Sequence, residues 1–223
     1  MTIYYGEVDT ENHGYGFVLE DDPRRQEDFI ALTDEEHQEL MDKQCEGLEI
    51  VYYDGKVFNA EHGLYYQDEQ GVWCKKSDED FNKEKSDNKR VELVNKIYEI
   101  KAEKAYGGVV INNMLVFETN QTAITNTVAS LALMSDTATT SWKFYTVNNE
   151  PYVQSITKAQ LAYIATFGQN MINECFTIEG KYNELLKSAT VENLLNTEWV
   201  EKFVQDVETE MKTVENNVIV KFA

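Results

Sequence analysis

Apolar and polar positions alternate in IYYGEV and GYGFVLED on either side of Asn12-His13-Gly14, which predicts two short strands joined by a turn. Thr33-Asp34-Glu35-Glu36 then reads as a capping box, in which the Thr33 hydroxyl accepts the Glu36 amide and the Glu36 carboxylate reaches back. The helix it opens runs to about Cys45, with Leu40, Met41 and Cys45 at helical spacing and Gly47 placed to end it. LEIVYY and KVFNA flank Asp54-Gly55, a pair suited to the type I′ turn whose twist matches paired strands. A further hairpin is predicted through GLYYQ and VWCKK around Asp68 to Gly71.

From Ser77 to about Tyr106 the chain has no Gly or Pro and is rich in Lys and Glu, and the spacing of Val91, Val94, Ile97, Tyr98 and Ala105 predicts one long helix ended by Gly107-Gly108. Its polar faces read as a solvated spacer. GVVI and LVFE then flank Asn112-Asn113 as a tight hairpin, and Thr119 is the expected cap of a helix carrying Ile124, Val128, Leu131 and Ala132. SWKFYTV and EPYVQSI flank Asn148-Asn149 as another strand pair. Thr157-Lys158-Ala159-Gln160 is a second capping box. It opens a stretch in which Leu161, Ala165, Gly168, Ile172, Cys175, Glu179, Tyr182 and Leu186 recur by fours and threes. We read this as a packing seam for a neighbouring helix or a second copy of the chain, with Leu161, Ala165, Gly168 and Ile172 as its assembly positions. A last helix from Thr197 places Val200, Phe203, Val204, Val207 and Met211 on one face, and NNVIVKFA alternates like a final strand. The expected fold class is α+β: a β-rich module over 1–76, a connecting helix over 77–106 and an α+β domain over 107–223.

Charge sharpens this division. Lys and Arg total 20 against 40 Asp and Glu, a net charge of −20 that repels phosphate backbones and argues against nucleic-acid binding through a basic surface. The span 107–156 has only four charged residues, Glu118, Asp136, Lys143 and Glu150, too few for a surface wholly exposed to water. Self-association through the C-terminal half is therefore expected. No stretch approaches the roughly 20 apolar residues that cross a bilayer, and MTIYYGEVDTE lacks the basic start and apolar run of a signal peptide, so no membrane insertion and synthesis in the cytoplasm are expected.

Chemistry is sparse. Cys45, Cys74 and Cys175 are far apart and lack metal-ligand spacing, and His13, His37 and His62 stand outside any nucleophile motif. Gly14-Tyr15-Gly16 and Gly107-Gly108 complete no phosphate-binding loop. No catalytic residue, metal ligand or cofactor is predicted, and the expectation is a protein that is not an enzyme. Aromatic residues are the remaining resource. Tyr4, Tyr5, Tyr15, Tyr52, Tyr53, Tyr65 and Tyr66 gather in the β-rich module, either as strand core or as a platform for glycan or protein. Tyr52, Tyr53, Phe58, Tyr65 and Tyr66 are the candidate partner-contact residues.

FIALTDEEHQELMDKQCEGLEIVYYDGKVFNA resembles a module near the start of many tailed-bacteriophage tail-fibre assembly and tail-fibre-associated proteins. AYGGVVINNMLVFETNQTAITNTVASLAL and SWKFYTVNNEPYVQSITKAQLAYIATFGQNMINEC look like a domain of unknown function that recurs in phage tail proteins: Gly-Gly, hairpin, capped helix, Trp-containing extended segment, long helix. The resemblance implies a structural or adaptor component of the tail-fibre or baseplate region, made in the host cytoplasm and located in the virion tail, with fibre or baseplate proteins as partners. A tail-fibre assembly chaperone is the second expectation. An acidic decoy that inhibits a host nucleic-acid enzyme is a third, opposed by the absence of a regular double row of charge.

Overall fold

The structure is a computed structural model describing residues 2–222, and it is α+β. The chain divides into two compact units, residues 1–84 and 85–223.

In the first unit, β1 (Ile3–Asp9) pairs antiparallel with β2 (Gly14–Leu19) across the turn at His13, whose φ is +54°. The other edge of β1 pairs with β3 (Ile30–Leu32), a strand too short to show alternation in the sequence. α1 (Asp34–Cys45) starts at Thr33 with both bonds of the capping box formed, and Gly47 follows at φ +96°. Leu40 is its buried residue, whereas Cys45 is exposed. β4 (Glu49–Tyr53) and β5 (Lys56–Ala60) form the Asp54-Gly55 hairpin with φ +53° and +69° at the turn, as a type I′ turn requires. β6 (Tyr65–Gln67) and β7 (Trp73–Lys75) make a smaller pair. The core gathers Tyr5, Leu32 and Leu40, with Tyr15, Phe17, Ile30, Ile50, Tyr52 and Val57 against them.

α2 (Asp78–Tyr106) begins in the first unit and ends in the second. Its inward side differs from the expected stripe. Val91, Val94 and Tyr98 are exposed, while Leu93, Ile97, Lys101 and Ala105 are buried. The reason is geometric: 93, 97, 101 and 105 follow one strict row of i+4 steps, and placing a lysine on that row hides it from any reading by hydrophobicity. The later turns of α2 are thus core and not a solvated spacer.

In the second unit β8 (Val109–Ile111), β9 (Leu115–Phe117), β10 (Thr139–Thr146) and β11 (Pro151–Thr157) form antiparallel neighbours. β12 (Asn217–Val218) joins β8 in parallel, giving the order β11-β10-β9-β8-β12. Asn112 and Asn113, at φ +54° and +57°, make the β8–β9 turn. α3 (Gln121–Leu133) is capped by Asn120, one residue after the expected Thr119; Thr119 is buried and its hydroxyl instead donates to the Ala105 carbonyl, 2.8 Å, closing the end of α2. α4 (Lys158–Ser188) starts at the Thr157–Gln160 capping box, and α5 (Val191–Leu195) and α6 (Thr197–Thr213) complete the unit. Phe203, Val207 and Met211 of α6 join Leu161, Ile164, Cys175, Tyr182 and Leu186 of α4 in the core.

Candidate interaction surfaces

Two surfaces stand out, one in each unit. In the first unit a cleft of about 390 Å³ is lined by Glu7, Tyr15, Tyr52, Tyr53, Asp54, Gln70 and Trp73 among others. The β-register explains the gathering. Glu7 faces Tyr15 across β1–β2, and Tyr5 faces Phe17, so all four side chains project from one face of that sheet. Tyr52 lies on the face of β4–β5 that packs toward it, stacked on Tyr15 at 5.7 Å and 26° between ring planes. Trp73 meets Tyr15 edge-on at 6.0 Å. The small pair β6–β7 is held beside the β1–β2 turn because the Gln67 amide donates to the His13 carbonyl, 3.0 Å, and because buried Gly71, at φ +78°, leaves room for the His13 ring. A Cβ at Gly71 would lie 2.3 Å from that ring.

The electrostatics of the cleft are negative. Burial, then the charge of Glu7, pushes the Tyr15 phenol above its ordinary range, with smaller contributions from Tyr52 and Asp28. His13 Nδ1 lies 2.7 Å from Glu7 Oε1. The wider unit has the same sign, since residues 1–84 hold 23 acidic and 7 basic side chains, net −16.

The five expected contact residues do not share one surface. Tyr52 and Tyr53 line the cleft, Tyr52 half-buried and Tyr53 more exposed. Phe58 and Tyr65 are half-buried, and the Tyr65 ring pairs with Phe58 at 5.5 Å and with Tyr53 at 5.1 Å. Tyr66 is exposed and follows Tyr65 onto the opposite face of β6–β7. Trp73 and Glu7 were not anticipated; the Gly71 turn before VWCKK marks the hairpin that carries Trp73 but not what it packs against.

In the second unit Leu161, Gly168 and Ile172 are buried within the chain itself, and Ala165 is half-buried. Gly168 allows close passage, because a Cβ there would sit 3.3 Å from both Thr119 and Val109. α3 runs beside these residues and leaves a shallow groove of about 240 Å³ lined by Ile124, Leu131, Ala165 and Ile172 among others.

Exposed apolar side chains of this unit occur on its helices, Val128 and Leu133 of α3 among them, and a further group lies along one end of the sheet. Met114, Val147 and Ile219 are 62%, 56% and 64% exposed. The register brings them together: Val147 donates its amide to the Met114 carbonyl, 3.0 Å, and Asn112 bonds to the backbone of Val218 and Val220 on either side of Ile219. Tyr152 and Val153, also exposed, follow on β11, an outer strand of the sheet.

No protein-family model, curated protein or solved structure matches this chain.

Among the described residues no group of three His, Cys, Asp or Glu side chains is arranged to hold a metal ion, and no helix is long and apolar enough to cross a membrane. The histidines lie apart: His13 meets Glu7, His62 meets Glu49 at 3.1 Å, and His37 packs edge-on against Phe17. Cys175 is buried in the core, which raises its thiol pKa and disfavours the reactive thiolate.

Proposed function

We propose that this chain is a non-enzymatic structural or adaptor component of a tailed-phage tail, located in the fibre or baseplate region and acting through protein contacts. The family part of this reading rests on the resemblance of the two sequence segments. The apolar sheet end in the second unit carries the mode of action, because exposed Met114, Val147 and Val153, from the span 107–156 that is almost free of charge, are joined by exposed Ile219, the composition of a surface that gains by being covered. β11 adds an outer strand edge through which another chain could extend the sheet. This end of the sheet is the natural place for self-association, since the α4 seam is already spent on the chain's own core. The aromatic cleft is the second contact, toward a fibre or baseplate subunit.

The test is the composition of purified particles together with the mass of the full chain in solution. Fixed stoichiometry in the particle, and an oligomer that Val153→Lys with Ile219→Lys converts to monomer, are the expected results. A chain absent from finished particles points to a transient chaperone, and hydrolysis of a host polysaccharide by the purified chain overturns the non-enzymatic reading.

A further inference from the structure

We propose that the cleft between the β1–β2 sheet and the β4–β5 turn is a receptor for a cationic side chain, an arginine above all, presented by a basic segment of a partner protein. This rests on the reading of the first unit as a partner-contact module, and adds to it the chemistry of what is held. Three observations lead there. The walls are aromatic: Tyr15, Tyr52, Tyr53 and Trp73 line a concavity of about 390 Å³, and the faces of such rings attract a cation through their quadrupole. The polar groups set into those walls include two carboxylates, Glu7 and Asp54, contributed by different strand pairs. The unit around them carries a net charge of −16, so a positive segment is drawn to this surface before any contact forms.

A neutral glycan fits less well. Tyr15 and Tyr52 already stack on each other and Trp73 meets Tyr15 edge-on, which limits the ring faces open to sugar and cation alike, so charge decides between them. A sugar gains nothing from the negative potential. Guanidinium offers five N–H donors in a planar fork for the Asp54 carboxylate and for Glu7, whose Oε1 also meets His13 Nδ1 at 2.7 Å, and its flat face lies well on a ring. The same unit shows the pairing internally, with the Arg25 guanidinium 4.4 Å from the centre of the Tyr4 ring. Asp54 sits at the hairpin turn with φ +53° and is exposed, so it meets an incoming side chain without rearrangement of the fold.

The test uses the full chain labelled with ¹⁵N and a short peptide of alternating arginine and glycine, followed through the indole N–H signals of Trp73, Trp142 and Trp199. The expected result is a saturable shift of the Trp73 signal alone, weakened by added salt. The same peptide with citrulline for arginine, isosteric and uncharged, should lose binding. Glu7→Gln with Asp54→Asn should weaken affinity about tenfold, and Glu20→Gln with Glu35→Gln, which removes equal charge outside the cleft, should leave it within about twofold. Equal binding of the citrulline peptide, equal weakening by both charge pairs, shifts at Trp142 or Trp199 instead, or a Trp73 response to maltohexaose but not to arginine each overturns the proposal. Incorporation of a Tyr53→Ala chain into particles separates the two levels. If Tyr53→Ala abolishes incorporation while the unaltered chain binds no arginine peptide, the contact module stands and its cationic ligand falls; if the unaltered chain binds the peptide and Tyr53→Ala leaves incorporation unchanged, the ligand stands and the contact module falls.

Discussion

Lys101 of α2 and Glu179 of α4 form an ion pair, Nζ to Oε2 3.2 Å, inside the second unit, where the Lys101 side chain is only 3% exposed. Its ammonium also lies 4.2 Å from the centre of the Tyr98 ring and 4.4 Å from that of Phe176. A desolvated ammonium is costly, and here a carboxylate and two ring faces offset the cost. Because each partner sits on a different helix, the pair also favours one alignment of α2 against α4.

Removing one partner should therefore cost more than removing both. Glu179→Ala leaves the Lys101 charge buried and should destabilise by about 3 kcal/mol, whereas Lys101→Met with Glu179→Leu should stay within about 1 kcal/mol of the parent. Urea unfolding of the single and double variants checks the difference; a cycle with no coupling energy would show that the pair contributes nothing.

Alkaline pH should destabilise the fold through two tyrosines. Burial first, with the neighbouring Tyr15 adding to it, raises Tyr5 from 10.0 to about 12, and burial with a hydrogen bond to Glu210 raises Tyr182 from 10.0 to about 12. Between those values the folded chain keeps protons that the unfolded chain loses, so stability is intact below pH 10 and falls as pH rises toward about 12. Phenolate absorbance should show a late-ionising fraction that appears together with loss of circular dichroism, and Tyr182→Phe should reduce it.

Two glycines at similar backbone angles should respond differently to alanine. Gly108, at φ +97°, has no room for a Cβ, which would meet Val116 at 2.6 Å and the Phe117 carbonyl oxygen at 2.9 Å. Gly47, at φ +96°, has nothing within 4 Å. Gly47→Ala should cost about 1 kcal/mol, the strain of a left-handed residue alone, and Gly108→Ala about 3 kcal/mol, with overlap added. Thermal unfolding of the two variants gives the comparison.

Fragments should report where the second unit begins. A chain of residues 85–223 keeps Leu93, Ile97, Lys101 and Ala105, and should unfold cooperatively. A chain of residues 107–223 loses all four; Leu93 and Ile97 alone, at roughly 2–5 kcal/mol each, are comparable with the ~5–15 kcal/mol by which domains are stable, so this fragment should not fold. Dispersed amide signals in the shorter fragment would show that α2 is dispensable.

Much of the local structure was readable from the sequence because it depends on neighbours in the chain. The capping boxes at Thr33 and Thr157, the stops at Gly47 and Gly107-Gly108, the hairpin turns at Asp54-Gly55 and Asn112-Asn113, and the amphipathic face of α6 each rest on contacts within a few residues, and all are present in the fold. What depends on distant residues was not readable. Thr119 and Asn120 are both good helix caps, and the carbonyl of Ala105, 14 residues earlier, decided that Thr119 closes α2 while Asn120 caps α3. A lysine on the buried row of α2 turned the apparent stripe away from the true one, since only Glu179 and two aromatic rings make that lysine acceptable inside. The α4 seam could have met a second copy or a neighbour in the same chain, and the folding of α2, β8 and α6 around it decided for the neighbour. The aromatic cleft has the same origin. Tyr15, Tyr52 and Trp73 come from three separate strand pairs, and periodicity states which side of its own strand each residue occupies but not which strand pair will face it.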